Sequence, residues 1–109
     1  MDAQEWLQHL PTRAAFNATK MAKIDCFRSA RLLVGLNCFA AGQTQKVHAH
    51  AGADKFYFVV SGKARLVVGD RAFEASAGDL VLAPAGVAHG VETAREQTVM
   101  LVGIAPAPN

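Results

Sequence analysis

From Met21 onward, the sequence is divided into short apolar or alternating runs that are separated by residues favouring turns. The runs, in order, are MAKIDCF, RLLVGLNCF, QKVHAH, KFYFVV, KARLVV, RAFEA, DLVLA and TVMLVGI. The turn segments between them are Ala51 to Asp54, Ser61-Gly62, Gly69-Asp70, Ala77-Gly78 and Pro84 to Gly86. Many short β-type runs without a convincing internal helix indicate an all-β sandwich or barrel. The sequence therefore predicts that residues 21–104 supply the strands.

The length of 109 residues suits one domain with a single core. Hydrophobic residues make up 51% of the chain and charged residues 18%, a composition that excludes a disordered protein. We expect one domain over residues 1–109, with an N-terminal arm over residues 1–20 and an extended tail over residues 105–109. Within the arm, residues 2–9 are predicted to form a short helix that Pro11 ends and Trp6 anchors.

Charge and hydropathy exclude several classes of function. The net charge is +2 and the lysines and arginines are scattered, so no nucleic-acid surface is expected. The longest apolar windows are far shorter than the ~20 residues of a membrane span, and the N-terminus MDAQEWLQHL lacks the features of a signal peptide. We therefore expect a cytoplasmic protein without membrane or nucleic-acid partners. In that compartment, Cys26 and Cys38 are interpreted as small core residues rather than a disulfide.

Three of the four histidines form a candidate metal site. His48 and His50 are separated by one residue, and alternate side chains of a strand point to the same face, so the pair can hold one metal ion. His89 follows a turn that Pro84 and Gly86 predict. A single histidine on an apolar face is more often a hydrogen-bonded residue than a ligand. The spacing of the surrounding residues decides between the two interpretations.

Two motifs in this chain have the spacing of the cupin family. The first is a glycine, five residues, His-x-His and a later glycine, and its residues here are Gly42, His48, His50 and Gly62. The second is a glycine, five residues, Pro-x-Gly, two residues and a histidine, matched by Gly78, Pro84, Gly86 and His89. The chain therefore resembles a small single-domain cupin over residues 42–93. The resemblance implies a double-stranded β-helix, which is a jelly-roll barrel.

The resemblance also implies a ligand set. In a cupin barrel, His48, His50 and His89 would converge at one end of the cavity and bind a divalent transition metal. Neutral imidazoles suit zinc, iron, nickel, manganese or copper, and three such ligands leave positions open for water or substrate. The sequence does not choose among these metals.

Two residues depart from the cupin pattern: Lys55 stands where the family has a glutamate ligand, and Thr93 replaces an asparagine. An ammonium about 4 Å from a divalent cation is repelled by roughly 8 kcal/mol at an effective dielectric constant near 20. Lys55 therefore points away, or is neutral, or no metal is bound, and an ion pair at the barrel mouth is an equal alternative. Asp54 becomes a substitute carboxylate only if a bulge turns it inward, and an ion pair with a lysine or arginine is favoured for it.

Two hypotheses for function follow from these residues. In the first, the three histidines hold a metal ion in an enzyme such as a dioxygenase or an isomerase, with Tyr57 and Lys55 as candidate acid or base. In the second, the protein is a non-catalytic binding or sensing module whose metal-free cavity holds a small anionic ligand on Lys55. The metal content of the purified protein distinguishes the two.

The run KFYFVV also predicts an assembly. Strand alternation places Lys55, Tyr57 and Val59 inward and places Phe56 and Phe58 on the outer face of the sheet. Two phenylalanines are costly to leave in water, so they are expected to meet the N-terminal arm or a second subunit. The resemblance to small cupins implies a dimer as well. We expect a homodimer.

Overall fold

The computed structural model describes residues 6–108 and shows an all-β protein. Within this range there are one short helix and nine strands. The helix is α1 (Leu10–Arg13), and the strands are β1 (Ala22–Arg28), β2 (Leu33–Phe39), β3 (Gln45–His48), β4 (Asp54–Ser61), β5 (Lys63–Val68), β6 (Arg71–Ser76), β7 (Leu80–Ala83), β8 (His89–Ala94) and β9 (Thr98–Ala105). In residues 6–108, no helix is long and apolar enough to cross a lipid bilayer.

The strands form two antiparallel sheets that pack against each other. The first sheet has five strands in the order β1-β2-β9-β4-β7, and the second has four in the order β3-β8-β5-β6. Because β3 to β9 alternate between the sheets, with only β5 and β6 joined as a hairpin within one sheet, the chain winds around a shared interior. This is the predicted double-stranded β-helix, a jelly-roll barrel.

The core lies between the two sheets. Alternate residues of β4 are buried, so Lys55, Tyr57 and Val59 point inward as the sequence predicted. The register places Tyr57 opposite Val102 and Lys55 opposite Ile104 in β9. The largest apolar side chains of the core are completely buried, and they are Phe39, Tyr57, Val59, Leu66 and Met100. Their removal from water supplies the main stabilisation of the barrel.

The N-terminal helix lies later in the chain than predicted. The sequence predicted a helix over residues 2–9 that ends before Pro11, whereas α1 spans Leu10–Arg13 with Pro11 in its first turn. That position suits proline, because the first N–H groups of a helix have no partner within the helix. Residues 2–5 of the predicted helix lie outside the described residues. Trp6, the predicted anchor, is 66% exposed.

The arm is held against the β1 edge of the five-stranded sheet. The Gln8 side chain donates a hydrogen bond to the Cys26 carbonyl. The Arg13 guanidinium donates to the Asp25 carbonyl at 3.1 Å. Because β1 and β7 form opposite edges of this sheet, these contacts lie far from the outer face of β4 and β7.

The described part of the C-terminal tail contacts the barrel. Residues 106–108 form no strand, whereas Ala105, the first residue of the predicted tail, ends β9. The Pro108 carbonyl accepts a hydrogen bond from the Arg28 side chain, and Pro108 lies in the wall of the interior cavity. The tail is thus packed against the cavity rather than loosely held.

Four apolar side chains form an outer patch on the five-stranded sheet: Phe56, Phe58, Leu80 and Leu82. The register places Phe56 opposite Leu82 and Phe58 opposite Leu80. The Phe56 ring lies over Gly103, where it occupies the space that a side chain would need. Phe56 therefore has a partner within the chain that the sequence analysis missed. Leu80 and Leu82 are 67% and 60% exposed, so the outer edge of the patch remains in water.

Candidate metal centre

Three histidines meet at one end of the barrel. His48 ends β3 and His89 begins β8, and the two residues are directly opposite each other in the register of the four-stranded sheet. The rings of His48 and His89 have centroids 4.5 Å apart, and the His50 ring lies 5.0 Å from that of His48. One nitrogen from each ring lies within 4.8 Å of the others, which is close enough for a shared metal ion. The predicted convergence of His48, His50 and His89 is confirmed.

The position of His50 has a different cause from the one predicted. Both histidines of the His-x-His pair were predicted to lie in one strand. However, β3 ends at His48, so His50 lies in the connection to β4. The carbonyl of His50 accepts a hydrogen bond of 2.8 Å from the Gly86 N–H. This bond joins the connection after β3 to the turn before His89. The third ring is therefore positioned by paired loops rather than by strand alternation.

Backbone contacts fix the proton positions of two rings. His48 Nδ1 lies 2.8 Å from the Lys46 carbonyl oxygen, and His89 Nδ1 lies 3.0 Å from the Val87 carbonyl oxygen. A carbonyl oxygen only accepts, so each Nδ1 must carry the proton and donate it. In a neutral imidazole, Nε2 is then an acceptor with a free lone pair. Such backbone bonds are the usual way in which proteins orient a histidine that binds metal.

The unpaired nitrogens fit a metal ion. The Nε2 atoms of His50 and His89 are buried, and neither has a hydrogen-bond partner in residues 6–108. A buried ring nitrogen without a partner is costly, and an ion bound by the Nε2 atoms would remove that cost. Burial lowers the pKa of both His50 and His89, and the nearby positive charge of Lys55 lowers it further. Both rings are therefore kept neutral, which is the form that binds metal.

Lys55 enters the same cavity. Its side chain is 4% exposed, and with His48 and His50 it lines an interior cavity of about 130 Å³. Its Nζ lies 4.5 Å from the centre of the Tyr57 ring. Lys55 has no ion-pair partner in the described part of the chain, so the predicted ion pair at the barrel mouth is wrong, and so is a side chain that points away. Burial lowers the pKa of Lys55 to about 8, with a smaller contribution from Lys23, so the amine still carries its charge at pH 7.

Tyr57 is held in the core. Its hydroxyl donates a 2.6 Å hydrogen bond to Gln45 Oε1, and its ring lies 6.0 Å from the His89 ring. Burial raises the pKa of Tyr57 above its usual value. A phenol with a raised pKa and a fixed acceptor gives up its proton reluctantly. This geometry favours a role for Tyr57 in positioning Gln45 and in packing against Lys55.

Asp54 takes neither of the roles that the sequence allowed. Its Oδ1 accepts a 2.9 Å hydrogen bond from the Ala85 N–H. The carboxylate thus stabilises the turn before His89, like an Asx side chain in a turn. Among residues 6–108, it is neither a substitute metal ligand nor part of an ion pair with a lysine or arginine.

Two functional candidates were missed in the sequence. Asn37 and Gln45 are 2% and 6% exposed, and within residues 6–108 their side-chain NH₂ groups have no hydrogen-bond partner. Asn37 lies on the inner face of β2 and lines the cavity beside Lys55. A polar residue in the apolar run RLLVGLNCF was the available signal, because buried polar groups require partners. Which face Asn37 uses became clear only from the register.

The chain is similar to known cupins over most of its length. Residues 35–104 match the family model of the Cupin domain. Uncharacterized protein SCO3923 of Streptomyces coelicolor is 38% identical over 85 residues, which cover 78% of this chain and 80% of that protein. The crystal structure of TT1209 from Thermus thermophilus has a TM-score of 0.89 at 39% identity, covering 94% of this chain and 98% of that one. An RmlC-like cupin from Desulfovibrio desulfuricans has a TM-score of 0.78 at 28% identity, covering 85% and 89% of the two chains.

The residues matched by the family begin in β2 and end in β9, so they include all three histidines, Lys55 and most of the barrel. Fold, motif spacing and relatives therefore lead to the same conclusion: the chain belongs to the cupin family.

Proposed function

We propose that this protein is a metal-binding cupin in which His48, His50 and His89 hold one divalent transition metal ion. The observation that carries the proposal is the pair of buried, unpartnered Nε2 atoms of His50 and His89 beside the third ring. Zinc, iron, nickel and copper all suit such nitrogen ligands. When bound, an ion with three protein ligands supplies a Lewis acid with positions left for a small molecule.

The protein's own residues determine what such a site can do. The carbonyls of Lys46 and Val87 hold two imidazoles in the Nδ1-protonated form. Lys55 places a positive charge in the cavity wall, where it can bind an anionic group or transfer a proton. These features support either a metal-dependent enzyme, such as a dioxygenase or an isomerase, or a ligand-binding module.

A metal-free binding module is the second candidate. The observation that favours it is Lys55, whose charge opposes that of a metal ion and has no counter-ion in residues 6–108. In that case the cavity would hold an anionic small molecule in place of the ion.

Elemental analysis of protein purified without an affinity metal column tests the first proposal. We expect close to one divalent metal ion per chain, because the nitrogens of three imidazoles already converge on one point. The metal-free module would instead be supported if the protein contained no stoichiometric metal and took up none from added zinc or nickel.

We further expect a homodimer that covers the outer patch. Leu80 and Leu82 extend the apolar surface of Phe56 and Phe58 to the β7 edge, where the structure leaves it in water. Burial of large apolar side chains is worth about 25 cal/mol per Å². Light scattering should give twice the chain mass of 11.5 kDa at micromolar concentration.

A double substitution, Leu80→Lys with Leu82→Lys, should convert the dimer to a monomer. Leu32→Lys is the matched control, because Leu32 is also exposed, at 43%, but lies in the connection between β1 and β2. If the double variant remains dimeric, the subunits meet elsewhere, and if the unmodified protein is monomeric, there is no dimer to explain.

A further inference from the structure

We infer that the cavity beside the three histidines binds a small carboxylate, with the carboxylate held by the Lys55 ammonium and the Asn37 amide. This inference deepens the proposed function, since it names the ligand class of the same site, and it rests on that proposal for the role of the metal. A second functional group of such a ligand, outside this carboxylate, would be free to face the three histidines.

Lys55 is buried and has no ion-pair partner among residues 6–108. A buried ammonium normally has a carboxylate partner or several acceptors, because its removal from water is costly. Lys55 is 4% exposed, and its Nζ lies over the face of the Tyr57 ring, 4.5 Å from the ring centre. Asp25 is the carboxylate in the cavity wall, but it is an exposed residue and forms no ion pair with Lys55. The cavity therefore contains a positive charge that an anionic ligand would balance.

An unpartnered side-chain amide in the cavity wall also indicates a ligand, independently of charge. The Asn37 side-chain NH₂ is buried and unpartnered within the described range, and the NH₂ of Gln45 is in the same condition. An NH₂ group only donates, so its missing partner must be an acceptor such as oxygen. Asn37 and Lys55 line the same cavity. Two unpaired donors, one of them charged, match the two oxygens of a carboxylate.

The volume of the cavity also suits a small acid. The cavity of about 130 Å³ has room for roughly four water molecules at about 30 Å³ each. That volume suits an acid of a few carbon atoms and is well below the ~300 to 1,000 Å³ of pockets for drug-sized ligands. A larger cleft of about 900 Å³ shares Lys23 and His48 with this cavity, and its wall also carries Lys20 and Lys46. Lysines around an entrance raise the local concentration of anions.

The test compares malonate with its neutral analogue malonamide. Binding of each is measured by calorimetry to the zinc-loaded protein and to the metal-free protein. We expect malonate to bind at least tenfold more tightly than malonamide. In the Lys55→Met variant this preference should be lost, while zinc affinity should rise, because a positive charge has been removed. Opposite changes in the two affinities separate a lost subsite from a misfolded protein.

Asn37→Asp is the second variant, and it keeps the test decisive if Lys55→Met does not fold. It replaces a donor with a carboxylate, so it should weaken malonate binding at least tenfold without weakening zinc binding. Malonate binding that is equal in the unmodified protein and in both variants, or equal to malonamide binding, would overturn the inference while leaving the metal centre intact. If zinc does not bind but Lys55-dependent malonate binding persists, the proposed metal function fails and the carboxylate site stands.

Discussion

Replacing Lys55 with glutamate is expected to raise the affinity of the protein for zinc or nickel by at least about a hundredfold. The substitution removes an ammonium from the cavity wall and supplies the carboxylate that the cupin pattern has at this position. Repulsion between an ammonium and a divalent ion about 4 Å apart is roughly 8 kcal/mol at an effective dielectric constant near 20. A hundredfold change needs only about 2.7 kcal/mol, so it is a conservative expectation after solvent screening.

The structure makes this experiment sharper than the sequence alone did. If position 55 lay at the rim, a glutamate there could not reach the ion. Lys55 is instead buried and lines one cavity with His48 and His50. The matched control is Lys63→Glu, which makes the same change in net charge at an exposed position of β5. Calorimetric titrations of both variants with zinc or nickel should show a gain for the first and none for the second. An unchanged affinity in Lys55→Glu would mean that position 55 does not face the bound ion.

The same substitution links the two proposals for the cavity. A glutamate at position 55 would repel the carboxylate that the lysine is inferred to bind, so malonate affinity should fall while metal affinity rises. Under these two proposals, the lysine weakens metal binding and supplies an anion-binding group. A buried positive charge is hard to explain in a cavity that holds only a metal ion.

Much of the fold was predictable because the relevant signals are local. Turn residues separate the strands, and strand alternation placed Lys55 and Tyr57 inward without knowledge of the neighbouring strands. The histidine cluster was predictable because the spacing of glycine, proline and histidine matches the cupin motifs, and that resemblance implies the convergence of His48, His50 and His89.

The missed features depend on partners that are distant in sequence. Asn37 faces the cavity because of the pairing of β2 with β1 and β9, and a single strand does not reveal that register. Asp54 was expected to pair with a lysine or arginine, but its carboxylate accepts a hydrogen bond from the Ala85 N–H, 31 positions away. The helix of the arm was misplaced because a short segment has a weak periodic signal, and Pro11 fits the first turn of a helix as well as the residue after its end.

Replacing His50 with alanine is expected to weaken zinc binding by at least about a hundredfold. Loss of outer partners of metal ligands already costs about ten- to a hundredfold in affinity, and the loss of one ligand of three should not cost less. His9→Ala is the matched control, because His9 is exposed in the N-terminal arm, far along the chain from the cluster. Its backbone carbonyl accepts the hydrogen bonds from Thr12, so the alanine variant retains them. Competition titrations with a zinc-binding dye would measure both affinities, and equal zinc uptake by the two variants would show that the three histidines are not the site.

The metal-free form of the His50 variant supplies the internal control for folding. In the chelator-treated protein, the Nε2 of His50 is a buried polar atom without a described partner, so its removal takes away an unfavourable group. The free energy of unfolding of the metal-free variant should therefore be no lower than that of the metal-free unmodified protein. At the same concentration, zinc should then raise the stability of the unmodified protein more than that of the variant, because the stabilisation grows with the affinity of the folded state for the ligand. A variant that is less stable even without metal would mean that His50 supports the barrel itself, and that its weaker zinc binding reports folding rather than coordination.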